Sequence, residues 1–391
     1  MPESGRTALV LSGGGARGAY QVGVLRGLVE HGLLPARPSA IDIFVGSSAG
    51  AINTAALAAW ADDLATGIER LEEVWRNIEP GQVYRTDLGS LGRIGIRWAW
   101  DLSFGGLTRH AQPKSLLDTA PLGELLRSRV PLARLADNVE AGRVAAVAVT
   151  ATDLHTADGV IFLHGQPDLP MWTRRRWRIE RTAIRVEHLL ASSAIPIFFP
   201  SVEIDGRYFG DGSIRNTTPL SPAINLGAER IVAIGVSGPP PPAEEIHVER
   251  PTIAQIAGVL LDAVMLDAIE VDIDHSERVN ASVVRCPDPA GAGFRQIDVL
   301  WLRPSQTVRQ LAAELTHRIP AVVRYLMRGL GSDVSVTELV SYLLFDGEFC
   351  ARLIELGRRD VAAERERIAA FFAGGATALS RPEDRPEPGR P

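Results

Sequence analysis

Short apolar runs alternate with longer segments of helical spacing along the first 235 residues. The apolar runs predict buried strands at residues 7–12, 41–45, 144–150, 160–163, 207–209 and 231–236. The intervening spacing predicts helices at residues 16–31, 49–61, 63–76, 122–128 and 186–192. Because strands and helices alternate, the order favours an α/β fold with a mostly parallel sheet that helices cover.

The bulk composition narrows the classes of protein. The chain has 391 residues, of which 46% are hydrophobic, so it can bury a large core. Its net charge of −6 does not indicate general nucleic-acid binding. Cys286 and Cys350 are far apart, which predicts neither a disulfide framework nor a cysteine-based metal site.

Neither a signal peptide nor a transmembrane helix is evident in the sequence. Residues 1–6 are short and polar and lack the basic-then-apolar layout of a leader. The longest apolar stretch, residues 41–61, contains glycines, serines and a turn at its middle. A buried strand–turn–helix explains it better than a bilayer span. We therefore expect a cytoplasmic protein, peripheral on a membrane at most.

A glycine loop, GGGARG at residues 13–18, links the first strand to the first helix. Such a loop can turn its backbone N–H groups toward a phosphate or a transient oxyanion. A dinucleotide site would need an acidic residue at the end of the second strand, but Asp42 lies at its start. A P-loop would need a following Gly-Lys-Ser/Thr, which is missing. An oxyanion loop and an ordinary tight turn both remain open.

A second motif, GSSAG at residues 46–50, follows the second strand and opens a helix. Gly46 and Gly50 permit a sharp turn that exposes the Ser48 hydroxyl, and the helix brings its positive end beside that hydroxyl. Ser47 competes as the nucleophile, but Ser48 holds the motif position. We expect Ser47 to act as a hydrogen-bonding residue of the turn.

A nucleophilic serine needs a base. None of the eight histidines lies in a motif that indicates catalysis. Asp211 follows a short strand and lies between Gly210 and Gly212, which let the backbone and a substrate approach the carboxylate. An aspartate is a weak base, but burial raises its pKa. An ordinary Asp-Gly turn is the alternative interpretation.

Taken in order, GGGARG, GSSAG and Asp211-Gly212-Ser213 resemble the patatin-like phospholipase family, and its bacterial members in particular. Residues 115–122 and 188–200 are also similar to that family, and the resemblance extends over residues 7–235. It implies a three-layer α/β/α fold with a mostly parallel central sheet and C-terminal helices. It further implies a Ser–Asp dyad, with Ser48 as nucleophile and Asp211 as base, that requires neither a cofactor nor a metal.

The same resemblance implies roles for the neighbouring residues. The N–H groups of Gly14 and Gly15 would hold the oxyanion, while Arg17 occupies the family's basic position and would orient the loop or counter negative charge. The residues assigned to the oxyanion loop are Gly13, Gly14, Gly15, Arg17 and Gly18, and those flanking the dyad are Gly46, Gly50, Gly212 and Ser213. Ser213 departs from the family's usual Gly or Ala and would add a hydrogen bond near Asp211.

The implied function is a serine lipid acyl hydrolase of the phospholipase A or lysophospholipase type. Two alternatives stay open: an esterase with a Ser–His–Asp triad, using His247 or His275, and a lipid-binding scaffold without catalysis. A nucleotide-binding protein is a third, weaker alternative. Four tryptophans near arginines suit a bilayer interface or the edge of the core: Trp98, Trp100, Trp172 and Trp177. The sequence indicates no oligomeric state.

The expected domain organisation has four parts. Residues 1–6 form a short extension and residues 7–237 the catalytic domain. Residues 238–375 form a helical part packed on that domain, with helices predicted at residues 252–274, 308–314 and 350–373. The proline- and charge-rich residues 376–391 have the composition of a disordered tail.

Overall fold

The computed structural model describes residues 5–34, 40–85, 115–239, 263, 268–320 and 340–374. The described residues contain one nine-stranded sheet. Its strands are β1 (Arg6–Leu11), β2 (Ile43–Ser47), β3 (Ala146–Asp153), β4 (Gly159–Gly165), β5 (Trp177–Arg181), β6 (Val202–Ile204), β7 (Arg207–Asp211), β8 (Ala228–Ile234) and β9 (Asp298–Leu302).

The sheet is mostly parallel, as predicted. Its main order is β5-β4-β3-β2-β1-β8-β9, and the strands from β3 to β9 in this order run in one direction. Strand β4 runs antiparallel to β3, and β5 runs parallel to β4. The hairpin β6–β7 joins the sheet through β7, which pairs antiparallel with the end of β3.

Helices lie in sequence between and after these strands. They are α1 (Ala19–Glu30), α2 (Ala49–Ala59), α3 (Leu64–Arg76), α4 (Pro80–Val83), α5 (Ala120–Arg129), α6 (Leu132–Glu140), α7 (Val186–Ser192), α8 (Ser221–Asn225), α9 (Ala268–Arg285), α10 (Val308–Glu314), α11 (Gly347–Ala363) and α12 (Arg365–Phe372). A short 3-10 turn, Gly15–Gly18, precedes α1.

Both faces of the central sheet are buried, which produces the three layers. On β1, Leu9 and Leu11 pack into one apolar cluster with α1, α2, α3 and α11. Ala8 and Val10 point the other way and pack into a second cluster with α8 and α9. A strand covered on both faces has no polar alternation, and this is why the central strands are visible in the sequence as continuous apolar runs.

Several elements were not predicted. Strand β5 is half-exposed at the sheet edge and carries charged residues, so it gives no apolar run. Strand β9 is an apolar run, but it lies in residues 238–375, for which only helices were predicted.

Two predicted helices have other bounds in the structure. Helix α9 runs to Arg285, beyond the predicted end at residue 274, and most of residues 252–267 lie outside the described residues. The predicted helix at residues 350–373 is two helices that meet at Glu364.

Four further elements were not predicted, and three of them have five residues or fewer. They are α4, α6, α8 and β6. The predicted domain division at residues 237 and 238 stays a prediction, although the sheet continues beyond it in β9. The predicted tail, residues 376–391, lies outside the described residues.

Helix α11 packs against α1 at backbone contact distance. A Cβ atom at Gly23 would lie 2.1 Å from the carbonyl oxygen of Ile354, and one at Gly357 would lie 2.6 Å from that of Tyr20. The Tyr20 hydroxyl also donates a hydrogen bond to Asp360 at 2.9 Å. Helix α1 directly follows the glycine loop, so α11 holds the element on which that loop is mounted.

This packing predicts opposite effects for two glycine-to-alanine changes. Gly23→Ala should lower the free energy of unfolding by about 1–3 kcal/mol, since the added methyl group meets backbone that cannot move aside. Gly81→Ala is the matched control, because a Cβ atom at that exposed helical position meets nothing within 4 Å. It should stabilise the protein by about 0.5–1 kcal/mol through helix propensity. Urea unfolding of the two variants measures the difference, and equal effects would contradict the close packing.

Candidate active site

Strand β3 brings the two predicted dyad residues together. Its Thr150 pairs with Ser47 at the end of β2, and the next residue, Ala151, pairs with Asp211 at the end of β7. Strand β4 occupies the opposite side of β3, so β2 and β7 lie on the same side and meet end to end. The turn after β2 and the carboxylate that ends β7 are therefore neighbours.

Ser48 lies on the sharp turn between β2 and α2. Its backbone has φ 53° and ψ −128°, a conformation that non-glycine residues rarely adopt. Gly46 and Gly50 make the turn possible: a Cβ atom at Gly46 would lie 2.4 Å from the Gly50 carbonyl oxygen, and one at Gly50 would lie 2.3 Å from that of Leu11. The strain is held by packing, and it directs the serine toward the end of β7.

Asp211 is fully buried, and its immediate partners are hydrogen-bond donors rather than cations. Its Oδ1 accepts a hydrogen bond from the Ser213 N–H at 2.8 Å. The Thr152 hydroxyl donates to the Asp211 carbonyl oxygen at 2.8 Å, which fixes the end of β7. Burial raises the pKa of the Asp211 carboxyl to about 6, against smaller lowering effects from Ser213 and Ser48.

Two buried oxygens face this site without a well-formed bond. Within the described residues, neither Ser48 Oγ nor Asp211 Oδ2 has a hydrogen-bond partner of good geometry. The two groups are nevertheless close enough for the serine hydroxyl to lower the pKa of the carboxyl. Ser48 itself is only 1% exposed. A buried hydroxyl beside a buried carboxylate of raised pKa is an arrangement suited to proton transfer.

The glycine loop passes directly beside Ser48 and beside Ser213, which follows Asp211 by two residues. A Cβ atom at Gly13 would lie 2.4 Å from Ser213 Oγ and 3.1 Å from Ser48 Cβ. Gly14 and Gly15 have φ values of 151° and 56°, which favour glycine. In the described part of the chain, neither of their N–H groups donates a hydrogen bond. Two unpaired donors beside a nucleophile can hold a developing oxyanion.

The C-terminal segment supports this loop from behind. A Cβ atom at Gly15 would lie 2.2 Å from the carbonyl oxygen of Tyr342. The Arg17 side chain is buried, its Nε donates to Ser341 Oγ at 2.8 Å, and its guanidinium lies 4.4 Å from the centroid of the Tyr342 ring. Gly18 packs instead against the start of α2, where a Cβ atom would lie 2.9 Å from Ala49 Cβ.

Polar residues that the sequence did not single out complete the site. The Ser48 N–H donates to Ser192 Oγ at 3.0 Å. Ser47 Oγ lies 2.6 Å from Thr150 Oγ1 and accepts a hydrogen bond from Asn216 at 2.9 Å. Thr150 also leaves no room at Gly212, where a Cβ atom would lie 2.3 Å from its carbonyl oxygen. Ser47 is thus a hydrogen-bonding residue of the turn. Ser192 belongs to residues 188–200, and the similarity of that stretch to the family was the sequence signal that could have identified it.

An apolar cavity of about 330 Å³ opens onto Ser48. Gly15, Ser48 and Ser193 line one part of it, and α2, α3 and α5 supply most of the remaining wall. Its apolar lining includes Ile52, Ala56, Leu71, Val74, Trp75, Leu122, Leu125, Leu126, Ile195 and Phe199. The sequence did not predict this cavity, because its walls come from helices that are distant along the chain.

No histidine of the described residues lines this cavity. His188 is buried, accepts a hydrogen bond from the Arg185 N–H at 3.0 Å and stacks on Phe162. Burial and the nearby Arg185 lower its pKa to about 4. His275 lies on α9, on the other side of the sheet, and His247 lies outside the described residues.

Of the four tryptophans predicted to reach a membrane, two lie within the described residues and two lie outside them. Trp172 and Trp177 are partly buried and pack against the second apolar cluster, on the side of α8 and α9. Trp98 and Trp100 lie outside the described residues. Membrane contact through any of the four therefore stays a prediction.

The described residues contain neither a membrane-spanning helix nor a cluster of metal ligands. No helix there has the length and apolar character needed to cross a membrane. Nor do three or more His, Cys, Asp or Glu side chains come together there as a set of metal ligands.

Comparison with known proteins adds relatives of similar sequence. Uncharacterized protein YjjU of Escherichia coli is 26% identical over 238 residues, covering 59% of this chain and 52% of that protein. An uncharacterized NTE family protein of Mycobacterium bovis is 26% identical over 239 residues, covering 60% of this chain and 50% of that protein. The chain spans about half the length of these curated relatives.

Among solved structures, human GIVD cytosolic phospholipase A2 aligns with a TM-score of 0.40 at 13% identity, covering 95% of this chain and 60% of that one. A family model, patatin-like phospholipase, matches residues 9–224. That span is more than half of the 391 residues and contains the glycine loop, the serine turn and Asp211. The chain therefore belongs to the patatin-like phospholipase family.

Proposed function

We propose that this protein is a serine hydrolase of lipid acyl esters, of the phospholipase A or lysophospholipase type. The observation that supports it most is the buried pair of Ser48 Oγ and Asp211, whose carboxyl has a pKa of about 6 and, among the described residues, no cation beside it. The apolar cavity beside Ser48 supports a substrate with a hydrocarbon chain. Family membership supports lipid as the substrate class.

The proposed reaction proceeds through an acyl-enzyme. Asp211 accepts the Ser48 proton while Ser48 Oγ attacks the ester carbonyl carbon. The carbonyl oxygen becomes an oxyanion that accepts hydrogen bonds from the N–H groups of Gly14 and Gly15. Collapse breaks the ester C–O bond, and the alcohol or lysolipid leaves with the proton that Asp211 returns. Asp211 then takes a proton from water as that water attacks the acyl-enzyme. It returns the proton to Ser48 Oγ as the acyl–serine bond breaks, which releases a fatty acid and free Ser48.

Arg17 is proposed as a positioning residue of the oxyanion loop. Its side chain is buried against Ser341 and Tyr342, so it binds the C-terminal segment rather than a substrate. By holding the 3-10 turn that follows Gly14, it keeps the loop in the conformation that presents the N–H groups of Gly14 and Gly15. This assigns Arg17 the orienting role among the two that the family resemblance implies.

Substitution of the dyad tests the proposal directly. Ser48→Ala and Asp211→Asn should each lower kcat for a p-nitrophenyl ester and for phosphatidylcholine vesicles by about 10³-fold or more, since each removes a group that acts in the transition state. Ser47→Ala is the matched control and should keep most of the activity. His188→Gln and His275→Gln should do the same.

Three results would contradict this assignment. If Ser47→Ala loses activity while Ser48→Ala keeps it, the nucleophile is Ser47 and not Ser48. An essential histidine would replace the dyad with a triad. A folded wild-type protein that hydrolyses neither substrate would favour the lipid-binding scaffold.

The pH dependence of kcat/KM should report Asp211. The carboxyl must be ionised to accept the serine proton, so kcat/KM should fall about tenfold per pH unit below a pKa of about 6 and level off above it. The Ser213 hydroxyl helps to lower this pKa, so Ser213→Ala should move the acidic limb to higher pH. A profile without an acidic limb between pH 5 and pH 7 would exclude Asp211 as the base.

The same burial makes Asp211 costly for stability. Its folded-state pKa of about 6 exceeds the unfolded value of about 3.9, so its stabilising contribution is present below pH 4 and is lost as the pH rises through 6. Asp211→Asn should therefore raise the free energy of unfolding by about 1–3 kcal/mol at pH 8 and change it little at pH 4.

Asp153 provides a matched control for that measurement. Its side chain is likewise shielded from solvent, but hydrogen bonds from the N–H groups of His155 and Thr156 and from Arg178 outweigh the effect of burial and hold the pKa of its carboxyl below the usual range. Asp153→Asn should therefore destabilise the protein at pH 8. Thermal unfolding of both variants at the two pH values separates the cases, and destabilisation by Asp211→Asn at pH 8 would contradict the raised pKa.

A further inference from the structure

The cavity beside Ser48 follows helix α2 along its whole length. Its lining includes residues 48, 49, 52, 56 and 60, which recur at the four-residue spacing that marks one face of a helix. Ser48 precedes the first turn of α2, and Trp60 is the residue at its C-terminal end. At 1.5 Å per residue, the twelve steps between them span about 18 Å.

Helix α3 lies antiparallel to α2 and forms the opposite wall. Trp75, near the end of α3, donates its indole N–H to Asn53 in the first half of α2 at 3.0 Å. Gly67, near the start of α3, lies at the other end, where a Cβ atom would come within 2.4 Å of Trp60 Cβ. The nucleophile and Trp60 therefore lie at opposite ends of one apolar groove, which α5 completes.

The Trp60 ring is held rigidly at its end of the groove. The Arg134 guanidinium lies 3.8 Å from the ring centroid, and that of Arg70 lies 4.5 Å from it. Arg134 is itself fixed, because it pairs with Asp62 at 2.8 Å and donates to the Ala59 carbonyl oxygen at 3.2 Å. With guanidinium groups on its ring and Gly67 beneath it, the indole cannot swing aside without breaking several contacts.

We propose that Trp60 is the specificity-determining residue that sets the longest acyl chain the enzyme accepts, an inference that rests on the proposed function. The chain extends along α2 from its ester carbon at Ser48 and ends against the indole. An extended chain advances about 1.2 Å per bond, by comparison with about 3.6 Å for the three backbone bonds of a residue. The last carbon stops about 3.5 Å short of the ring, at van der Waals contact. The remaining span of about 14.5 Å holds roughly twelve bonds, or about thirteen carbons, and a longer chain meets the ring.

A chain-length series of esters tests the proposal. The kcat/KM values of wild type and Trp60→Ala are compared on p-nitrophenyl butyrate, caprylate, laurate, myristate, palmitate and stearate in the same detergent micelles. Wild type should be fastest near laurate or myristate. Trp60→Ala should raise the ratio of kcat/KM for palmitate over caprylate about tenfold, because each methylene admitted to an apolar pocket is worth a factor of that order. Trp60→Phe should lie between them.

Trp177→Ala is the matched control. Trp177 is also partly buried and has the guanidinium of Arg174 5.3 Å from its ring centroid, but it does not line the cavity. Its loss should change all the rates by the same factor and leave the palmitate-to-caprylate ratio unaltered. If Trp60→Ala also scales all rates equally, the inference is wrong.

Binding of free fatty acids by Ser48→Ala separates this inference from the proposed function. The affinity for fatty acids, measured by calorimetry, should increase with each added carbon up to a chain length of about thirteen carbons and then stop increasing. In the double variant with Trp60→Ala, this stop should move to longer chains. An enzyme that hydrolyses nothing but shows this stop would refute the proposed function and keep the inference. An affinity that increases through stearate without a stop, or a stop that Trp60→Ala does not move, would overturn the inference.

Discussion

The site depends on the pairing of β3 with two strands in succession along one side. Consecutive residues of β3, Thr150 and Ala151, pair with Ser47 and Asp211. A one-residue slip of either partner would turn its side chains to the other face of the sheet. The separation of Ser48 from the Asp211 carboxylate is therefore set by backbone hydrogen bonds of the central sheet, which are more rigid than a loop. The strain at Ser48 and the close approach at Gly46 can be held because this frame is buried on both faces.

Within this sheet, burial and the neighbouring charges determine the pKa of each carboxyl group. Among the described residues, Asp211 has hydrogen-bond donors around it but no arginine. Asp153 lies on the adjacent strand β3, and its hydrogen bonds, including the one from Arg178, lower the pKa of its carboxyl. The same sheet thus holds one carboxylate as a structural ion and leaves another near the pKa that suits a general base. A carboxylate that is buried without a cation is expected to destabilise the folded state at neutral pH, the cost that stability–activity trade-offs associate with functional sites.

The central part of this organisation could be predicted from sequence, and the periphery could not. Strands β1, β2 and β3 are continuous apolar runs because both their faces are covered. The glycine loop and the Ser48 turn are recognisable because positive φ angles and close backbone approach require glycine there. Strand β5 lies at an edge and carries charge, so its pattern resembles a loop. Asn216 and the cavity wall are brought to the site by tertiary packing between distant segments, which leaves no local signal in the sequence. The link from α11 and Tyr342 to the glycine loop is of the same kind.

Covalent labelling measures the central claim most directly. Wild-type protein is treated with a long-chain alkyl fluorophosphonate, which reacts with an activated serine, and the adduct is located by peptide mass spectrometry. The account predicts one adduct, on Ser48, formed at a rate that increases with pH through about 6 and that decreases sharply in Asp211→Asn. Labelling of another serine, or labelling of Asp211→Asn at the wild-type rate, would contradict the assignment of Ser48 and Asp211 as a catalytic pair.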